Sequence, residues 1–230
     1  MIFRTSPPIG SRDAGDYDEY WDTRRGDTFG ALSDWQRDRA HIVASLLRGQ
    51  STSSLSDIGC GDGVFTKHLG IMLGAQSILG YDMSDRALAE ARKTGIEAHM
   101  LDLRDGAARR AIPKADYVTL FEVLEHLTDS EDVLKDMLGR SNKGVFFSLP
   151  NTGFLVHRFR LLFGKFPVQW AVAPNEHVRF WTLVDMRWWL KELGYTDAQI
   201  IPYRGIPFLN KLWPNLFAEG ILVHIHAQHH

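Results

Sequence analysis

The chain has 230 residues and a mass of 26.1 kDa, a size that suits one compact α/β domain carrying an appended segment. Hydrophobic residues make up 44% and charged residues 23%, which excludes a disordered or fibrous chain. The 26 Lys and Arg against 28 Asp and Glu leave a net charge of −2, so composition offers no general nucleic-acid surface: DNA is not expected as a partner, and RNA is disfavoured. A single cysteine, Cys60, rules out an internal disulfide framework and fits a reducing compartment. The first residues hold no apolar core of a secretory signal, and nowhere do roughly eighteen apolar residues run unbroken. A cytoplasmic protein without a transmembrane helix is the expectation.

In chain order, Pro7, Pro8, Gly10 and Ser11 read as a loose arm. From Tyr17 to Leu47 the pattern is helical, with Trp35, Ile42, Val43, Leu46 and Leu47 at helical spacing and Gly49 as a stop. A short strand, 54–58, runs into Gly59-Cys60-Gly61-Asp62-Gly63, and a helix over 64–73 follows at once. Then come strand 77–81, helix 85–93, strand 97–100, strand 117–121, helix 130–138 and strand 144–149. Strands alternating with helices through short connections predict a parallel sheet covered on both faces. Beyond Pro150 the texture changes. Gly153 to Ala173 is apolar with interspersed Arg158, Arg160 and Lys165, and five of the seven tryptophans lie at Trp170 or later. Helix 183–193, strand 199–203, an aromatic stretch 207–217 and strand 220–226 complete the pass. The division expected within a single domain is an arm and helix over 1–48, a core over 49–151, a lid over 152–181 and a C-terminal part over 182–227.

A strand, a glycine-rich turn and a helix make a nucleotide site because glycine permits the sharp turn and lets a ligand reach helix N–H groups. An ordinary βα turn is the plain alternative, since short glycine patterns recur by chance. Two later strand ends carry acids. Asp82 lies about twenty positions past the glycines and suits ribose hydroxyls; Asp102 closes the third strand and suits an adenine amino group. A dinucleotide fold wants its third glycine at position 64, which is Val64, so a nicotinamide oxidoreductase is the weak competitor.

The string Asp57-Ile58-Gly59-Cys60-Gly61-Asp62-Gly63, with Asp82 and Asp102, resembles motif I and the acidic positions of the class I S-adenosylmethionine-dependent methyltransferases. The resemblance covers about residues 50 to 227. It implies a Rossmann-like, doubly wound α/β fold: a seven-stranded sheet with the last strand antiparallel, a helical N-terminal cap and a lid after strand five. It also implies a donor site of Asp57, Gly59, Cys60, Gly61, Gly63, Asp82, Met83, Asp102, Leu103 and Phe121. Cys60 is explained by the motif and is expected to be inert.

The fourth strand leads into Glu122-Val123-Leu124-Glu125-His126. If the chain turns helical there, Glu122, Glu125 and His126 share one face. Three readings stand side by side: a polar helix start favoured by the dipole, a general base at His126 assisted by Glu122, or a divalent-metal site that acidifies an acceptor oxygen. The Glu-x-x-Glu-His string is similar to that of ubiquinone-biosynthesis O-methyltransferases and of small-RNA 2′-O-methyltransferases. In the latter the two glutamates, the histidine and a further histidine bind metal. His177, in Asn175-Glu176-His177-Val178-Arg179-Phe180-Trp181-Thr182, supplies the matching position. Such a set suits Mg²⁺, Mn²⁺, Fe²⁺ or Zn²⁺.

The segment from Ser148 to Val168 also resembles the methionine-biosynthesis protein W type, which does not generally carry Glu-x-x-Glu-His. A cofactor-binding partner or regulatory subunit, with Pro207–Phe217 as its interface, is therefore a second reading beside O-methylation of a small or lipid-like acceptor; RNA methylation is a third. Tyr17, Tyr20 and Trp21 read either as packing or as aromatics that close over the donor. Gly153–Lys165 reads as a lid over an apolar acceptor or as a peripheral membrane contact. His224, His226, His229 and His230 read as ordinary strand residues or tag remnants rather than metal ligands.

Overall fold

A computed structural model describes Asp18, Trp21, residues 29–167 and residues 177–227. The sheet is built from β1 (Ser54–Ile58), β2 (Ser77–Asp82), β3 (Glu97–Met100), β4 (Ala115–Phe121), β5 (Ser141–Pro150), β6 (Gln199–Tyr203) and β7 (Gly220–His226). Their order is β3-β2-β1-β4-β5-β7-β6, the expected seven-stranded sheet. β1 pairs in parallel with β2 and β4, and β2 with β3, while β6 and β7 run antiparallel. The order reverses at β1, where β2 lies on one side and β4 on the other. Open α/β sheets bind their ligands beyond the strand carboxyl ends at such a reversal.

The chain divides into two compact units. The first holds Gly15–Phe121, Glu131–Phe146 and His226–His230. Its strands β1 and β4 are almost wholly buried, as strands covered on both faces must be, with Leu55, Ile58, Val118 and Leu120 at 1% exposure or less. Its helices are α1 (Asp34–Leu46), α2 (Val64–Leu73), α3 (Asp85–Lys93), α4 (Gly106–Ala111) and α5 (Ser130–Gly139, begun at the boundary residue Ser130). Local chemistry starts them. Ser33 and Gln36 form a reciprocal capping box on α1, Ser84 accepts from Ala87 N–H on α3, and Asp105 accepts from Ala107 and Ala108 N–H on α4.

The second unit holds Met1–Ala14, Glu122–Ser130 and Phe147–Ile225. It contains α6 (Leu155–Leu162), α7 (Leu183–Glu192, capped by Thr182 and Asp185) and the short helices α8 (Leu209–Leu212) and α9 (Pro214–Phe217). Phe147 meets Trp189 edge-to-face at 6.3 Å, and Leu183, Met186 and Leu190 are buried beside them. Among the described residues no helix is long and apolar enough to cross a membrane.

Three local expectations change. The helical stretch expected from Tyr17 to Leu47 is interrupted by turn and coil at residues 29–33, and the Ser33 capping box starts α1 at Asp34; Tyr17 and Tyr20 lie outside the described residues. The segment 106–111 is helical although its two arginines and three alanines show no apolar stripe; Asp105 supplies the start. The expected lid holds a regular helix, α6, while Val168, Trp170 and Asn175-Glu176 lie outside the described residues.

Gly63, at the start of α2, packs against Ala91 of α3 and against Ile96. Its φ is 73°, and a Cβ there would lie 2.9 Å from the Ala91 backbone and 2.8 Å from Ile96 Cδ1. Gly63→Ala therefore carries both left-handed strain and overpacking, about 2–4 kcal/mol together. Gly74→Ala, at φ 70° with nothing within 4 Å of the added Cβ, carries the strain alone. Thermal unfolding is expected to show a drop of about 5–10 °C for the first and about 2–4 °C for the second; equal drops would remove the packing role.

Candidate donor loop and carboxylate–histidine cluster

The glycine loop leaves β1 and folds against the end of β2. Gly59 and Cys60 N–H both donate to Tyr81 O, at 2.7 and 2.9 Å, and Gly61 N–H donates to Asp82 Oδ2 at 2.8 Å. Gly59, Gly61 and Gly63 all lie at positive φ, which is why glycines occupy these places. Asp82 Oδ1 accepts from Ser84 N–H at 3.0 Å. Burial pushes the Asp82 carboxyl above its ordinary pKa, and the backbone bonds from Ser84, Gly61 and Met83 oppose that push.

Beneath the loop, Asp57 is 3% exposed and accepts from Thr119 Oγ1 at 2.6 Å and from Thr66 Oγ1. Desolvation raises its pKa to about 6, against the pull of both hydroxyls and of Arg39. Phe121 meets Phe65 edge-to-face at 5.2 Å under the Arg39 guanidinium. Burial pushes the Cys60 thiol well above its ordinary pKa, which suppresses the nucleophilic thiolate. Met83 and Leu103 are half-buried.

Asp102 is less enclosed. Arg104 bonds its carboxylate through Nε at 2.9 Å and Nη2 at 2.7 Å, and this pairing holds the carboxyl below its usual pKa. Trp21 lies against Gly61, its ring 2.6 Å from where a Cβ would stand, and stacks on Phe29 at 5.6 Å. Asp18 Oδ1 accepts from Ser84 Oγ and from Arg86 N–H at the start of α3. Asp18, Thr66 and Thr119 were not among the residues singled out in the sequence. Thr119 alternates with apolar neighbours along β4, a signal that names a strand and not a bond to Asp57.

The second unit begins one residue after β4 ends. Glu122 adopts φ 57°, donates its N–H to Ser148 O at 3.0 Å and accepts from Ser148 Oγ at 2.7 Å. The chain then makes a 3₁₀ turn over Leu124–His126. The expected helical face is thus a correction: the left-handed residue at 122 breaks the α-helical register, and Glu122 lies outside the group that the other side chains form. That group is Glu125, His126 and His177, whose ligand atoms all fall within 4.8 Å of one another.

His177 arrives because Val178 and Arg179 N–H both donate to Glu125 O, at 2.9 and 3.1 Å, and the Arg179 guanidinium donates to Thr128 O. The His126 and His177 rings meet edge-to-face at 4.7 Å. Burial, then the neighbouring His126, pushes His177 down to about 4, so it is neutral at pH 7 with a lone pair to offer. Glu125 is 1% exposed. Ser148, which holds Glu122, carries no sequence signal for that bond. On β7, His224 is buried and His226 exposed, while His229 and His230 lie outside the described residues.

A family model described as a methyltransferase domain matches residues 32–200. A ubiquinone biosynthesis O-methyltransferase from Nitrosomonas europaea is 30% identical over 171 residues, 71% of this chain and 72% of that protein. Its counterpart from Pasteurella multocida is 24% identical over 195 residues, covering 77% and 79%. The crystal structure of magnesium protoporphyrin IX methyltransferase from Synechocystis PCC 6803 with bound SAH shares the fold at TM-score 0.59 and 15% identity, over 94% of this chain and all of that one. A small-RNA methyltransferase structure shares it at TM-score 0.61 and 23% identity, over 86% of this chain and 26% of that one.

The raised pKa of Asp57 has a stability consequence. Between about pH 4 and pH 6 the native state keeps a proton that the unfolded chain has released, so this residue's contribution to stability falls as pH rises through that window, by up to about 3 kcal/mol. His157 and His177, both pushed to about 4, work the opposite way, since the unfolded chain takes up their protons first as pH falls. The readout is therefore the difference between the wild type and Asp57→Asn in urea unfolding across pH 4–7. Their stability gap should shift in the variant's favour as pH rises from 4 to about 6 and level off above that; a constant gap would contradict the assignment.

Proposed function

The chain belongs to the methyltransferase-domain family, and we propose on that footing that it moves the methyl group of S-adenosylmethionine to an oxygen of a small or lipid-like acceptor. The donor is already a strong electrophile, so the protein's work is to align the acceptor and take one proton. In this reading Gly59, Cys60, Gly61 and Gly63 turn backbone toward the donor's amino-acid end, with Asp57 beneath and Phe121 beside it. Asp82 accepts from the ribose, Asp102 and Leu103 receive the adenine, and Met83 packs along the nucleoside. Arg104, now on Asp102, shares that carboxylate with the adenine amino group or gives way to it.

The observation that carries the acceptor side is the convergence of Glu125, His126 and His177 within 4.8 Å directly after β4. Neighbouring ligands each about 2.1 Å from one ion lie about 3.0–3.4 Å apart, so drawing the side chains together by roughly an ångström closes the set. One carboxylate and two imidazoles, one of them held neutral by burial, fit Mn²⁺, Fe²⁺ or Zn²⁺ better than Mg²⁺, which favours oxygen ligands. Bound there, a divalent ion would lower the pKa of an acceptor hydroxyl. Glu122, oriented by Ser148, stands next in the chain to hydrogen-bond the acceptor, and His126 receives the proton if the site holds no ion.

Titrating Mn²⁺, Zn²⁺ and Mg²⁺ into protein saturated with S-adenosylhomocysteine tests this reading. One-to-one binding of Mn²⁺ or Zn²⁺, weakened by about a hundredfold in both His126→Ala and His177→Ala, is expected. Absence of binding in the wild type would discard the ion and leave His126 as the base; binding unchanged in either variant would discard this ligand set.

A further inference from the structure

The connection between β6 and β7 is tied down by hydrogen bonds, yet it turns apolar side chains outward. Ile206 N–H donates to Phe217 O at 3.0 Å, Asn210 Nδ2 to Arg204 O at 2.8 Å, and Asn151 Nδ2 to Ala218 O at 2.7 Å. Gly205, at φ 93°, passes so close beneath this frame that a Cβ would lie 1.9 Å from Phe217 O. On that frame α8 and its flanks carry Phe208, Leu209, Leu212 and Trp213, whose spacing sets them on one side of a helical turn. Phe208 is 82% exposed, Leu212 80% and Trp213 56%. Phe208 also takes φ 64°, a costly conformation for a bulky residue, so the fold spends backbone strain to hold an aromatic ring in water.

Charge selects what covers this face. No acidic residue lies between Asp197 and Glu219, and the charges in the turn are Arg204 and Lys211, in a chain whose net charge is −2. A second copy seated on the same patch would set one cationic, acid-free stretch against another. An anionic bilayer meets both features, taking the rings and Leu212 into the headgroup–acyl boundary while Lys211 and Arg204 stay at the phosphates. The end of α6 repeats the chemistry, with Leu162 at 76% and Phe163 at 67% exposure beside Lys165, and no acidic residue between Asp136 and Glu176.

We propose that the Phe208–Trp213 turn docks this protein on an anionic lipid bilayer. The inference stands apart from the identity of the methyl acceptor and from the ion at the histidines.

The test is sedimentation of the full chain with phosphatidylcholine vesicles, with and without phosphatidylglycerol, for the wild type and for the double variant Phe208→Gly/Leu212→Asp. Glycine removes the ring and relieves the left-handed strain, so the thermal midpoint is expected to hold or rise, and S-adenosylhomocysteine affinity to stay unchanged. The wild type should bind the phosphatidylglycerol vesicles and not the neutral ones, and the double variant should bind about tenfold more weakly or worse. A wild type that stays free of anionic vesicles, or a variant that binds them equally well, would overturn the proposal. So would a concentration-dependent wild-type dimer that the double variant abolishes, with no vesicle binding in either, because the occupant is then a second copy.

Discussion

Three backbone N–H groups tie the glycine loop to the end of β2, and the proposed donor site depends on that tie. The amides of Gly59 and Cys60 spend themselves on Tyr81 O, and that of Gly61 on Asp82 Oδ2. Those bonds force the turn into the positive-φ conformations that glycine alone adopts cheaply. They also hold one Asp82 oxygen while Ser84 N–H holds the other, so the carboxylate is oriented before any ligand arrives. Orientation in advance reduces the ordering cost of binding. Asp57 lies buried on the strand before the loop, where two threonine hydroxyls keep an otherwise costly carboxyl satisfied.

In the second unit the corresponding fixed point is the carbonyl of Glu125. It accepts two successive N–H groups, from Val178 and Arg179, and so brings His177 onto His126. Three titratable side chains are gathered on a turn that carries strain at Glu122 and a buried carboxyl at Glu125. Such gatherings cost stability and are typical of reacting or binding sites. An S-adenosylmethionine-dependent methyltransferase has little bond-making chemistry to supply itself, and its demands are alignment and the removal of a proton. The proposed role of this set, lowering an acceptor's pKa or taking its proton, would answer the second demand.

Much of the fold could be read from the sequence because each βα unit announces itself locally. A run such as Ser54–Ile58 ending in glycines, or Glu97–Met100 ending near an aspartate, fixes a strand, its exit and its place at the carboxyl edge. The boundaries of β1, α2, α3, β3 and β7 match the spacing-based expectation residue for residue. What stayed hidden depends on contacts across the chain. The left-handed turn at Glu122 is stabilised by Ser148, 26 residues away, and no local pattern signals it. The short helices at 209–212 and 214–217 are set by Gly205 and by bonds to Asn151, again distant in sequence. Asp18 and Thr119 matter through partners that only the folded chain supplies. The pairing of Glu125 with His126 and His177 was legible as a motif, while the departure of Glu122 from that group was not.

Donor recognition through Asp82 and the glycine loop is the central claim, and calorimetric titration of S-adenosylhomocysteine into the wild type and Asp82→Ala tests it most directly. One-to-one binding to the wild type is expected, with the variant weaker by about ten- to a hundredfold from the loss of charge-assisted hydrogen bonds to the ribose. Nicotinamide adenine dinucleotide should give no binding heat, since Val64 stands where the dinucleotide turn needs its third glycine. A wild type that fails to bind S-adenosylhomocysteine, or an Asp82→Ala variant that binds it as tightly, would contradict the assignment of the donor site.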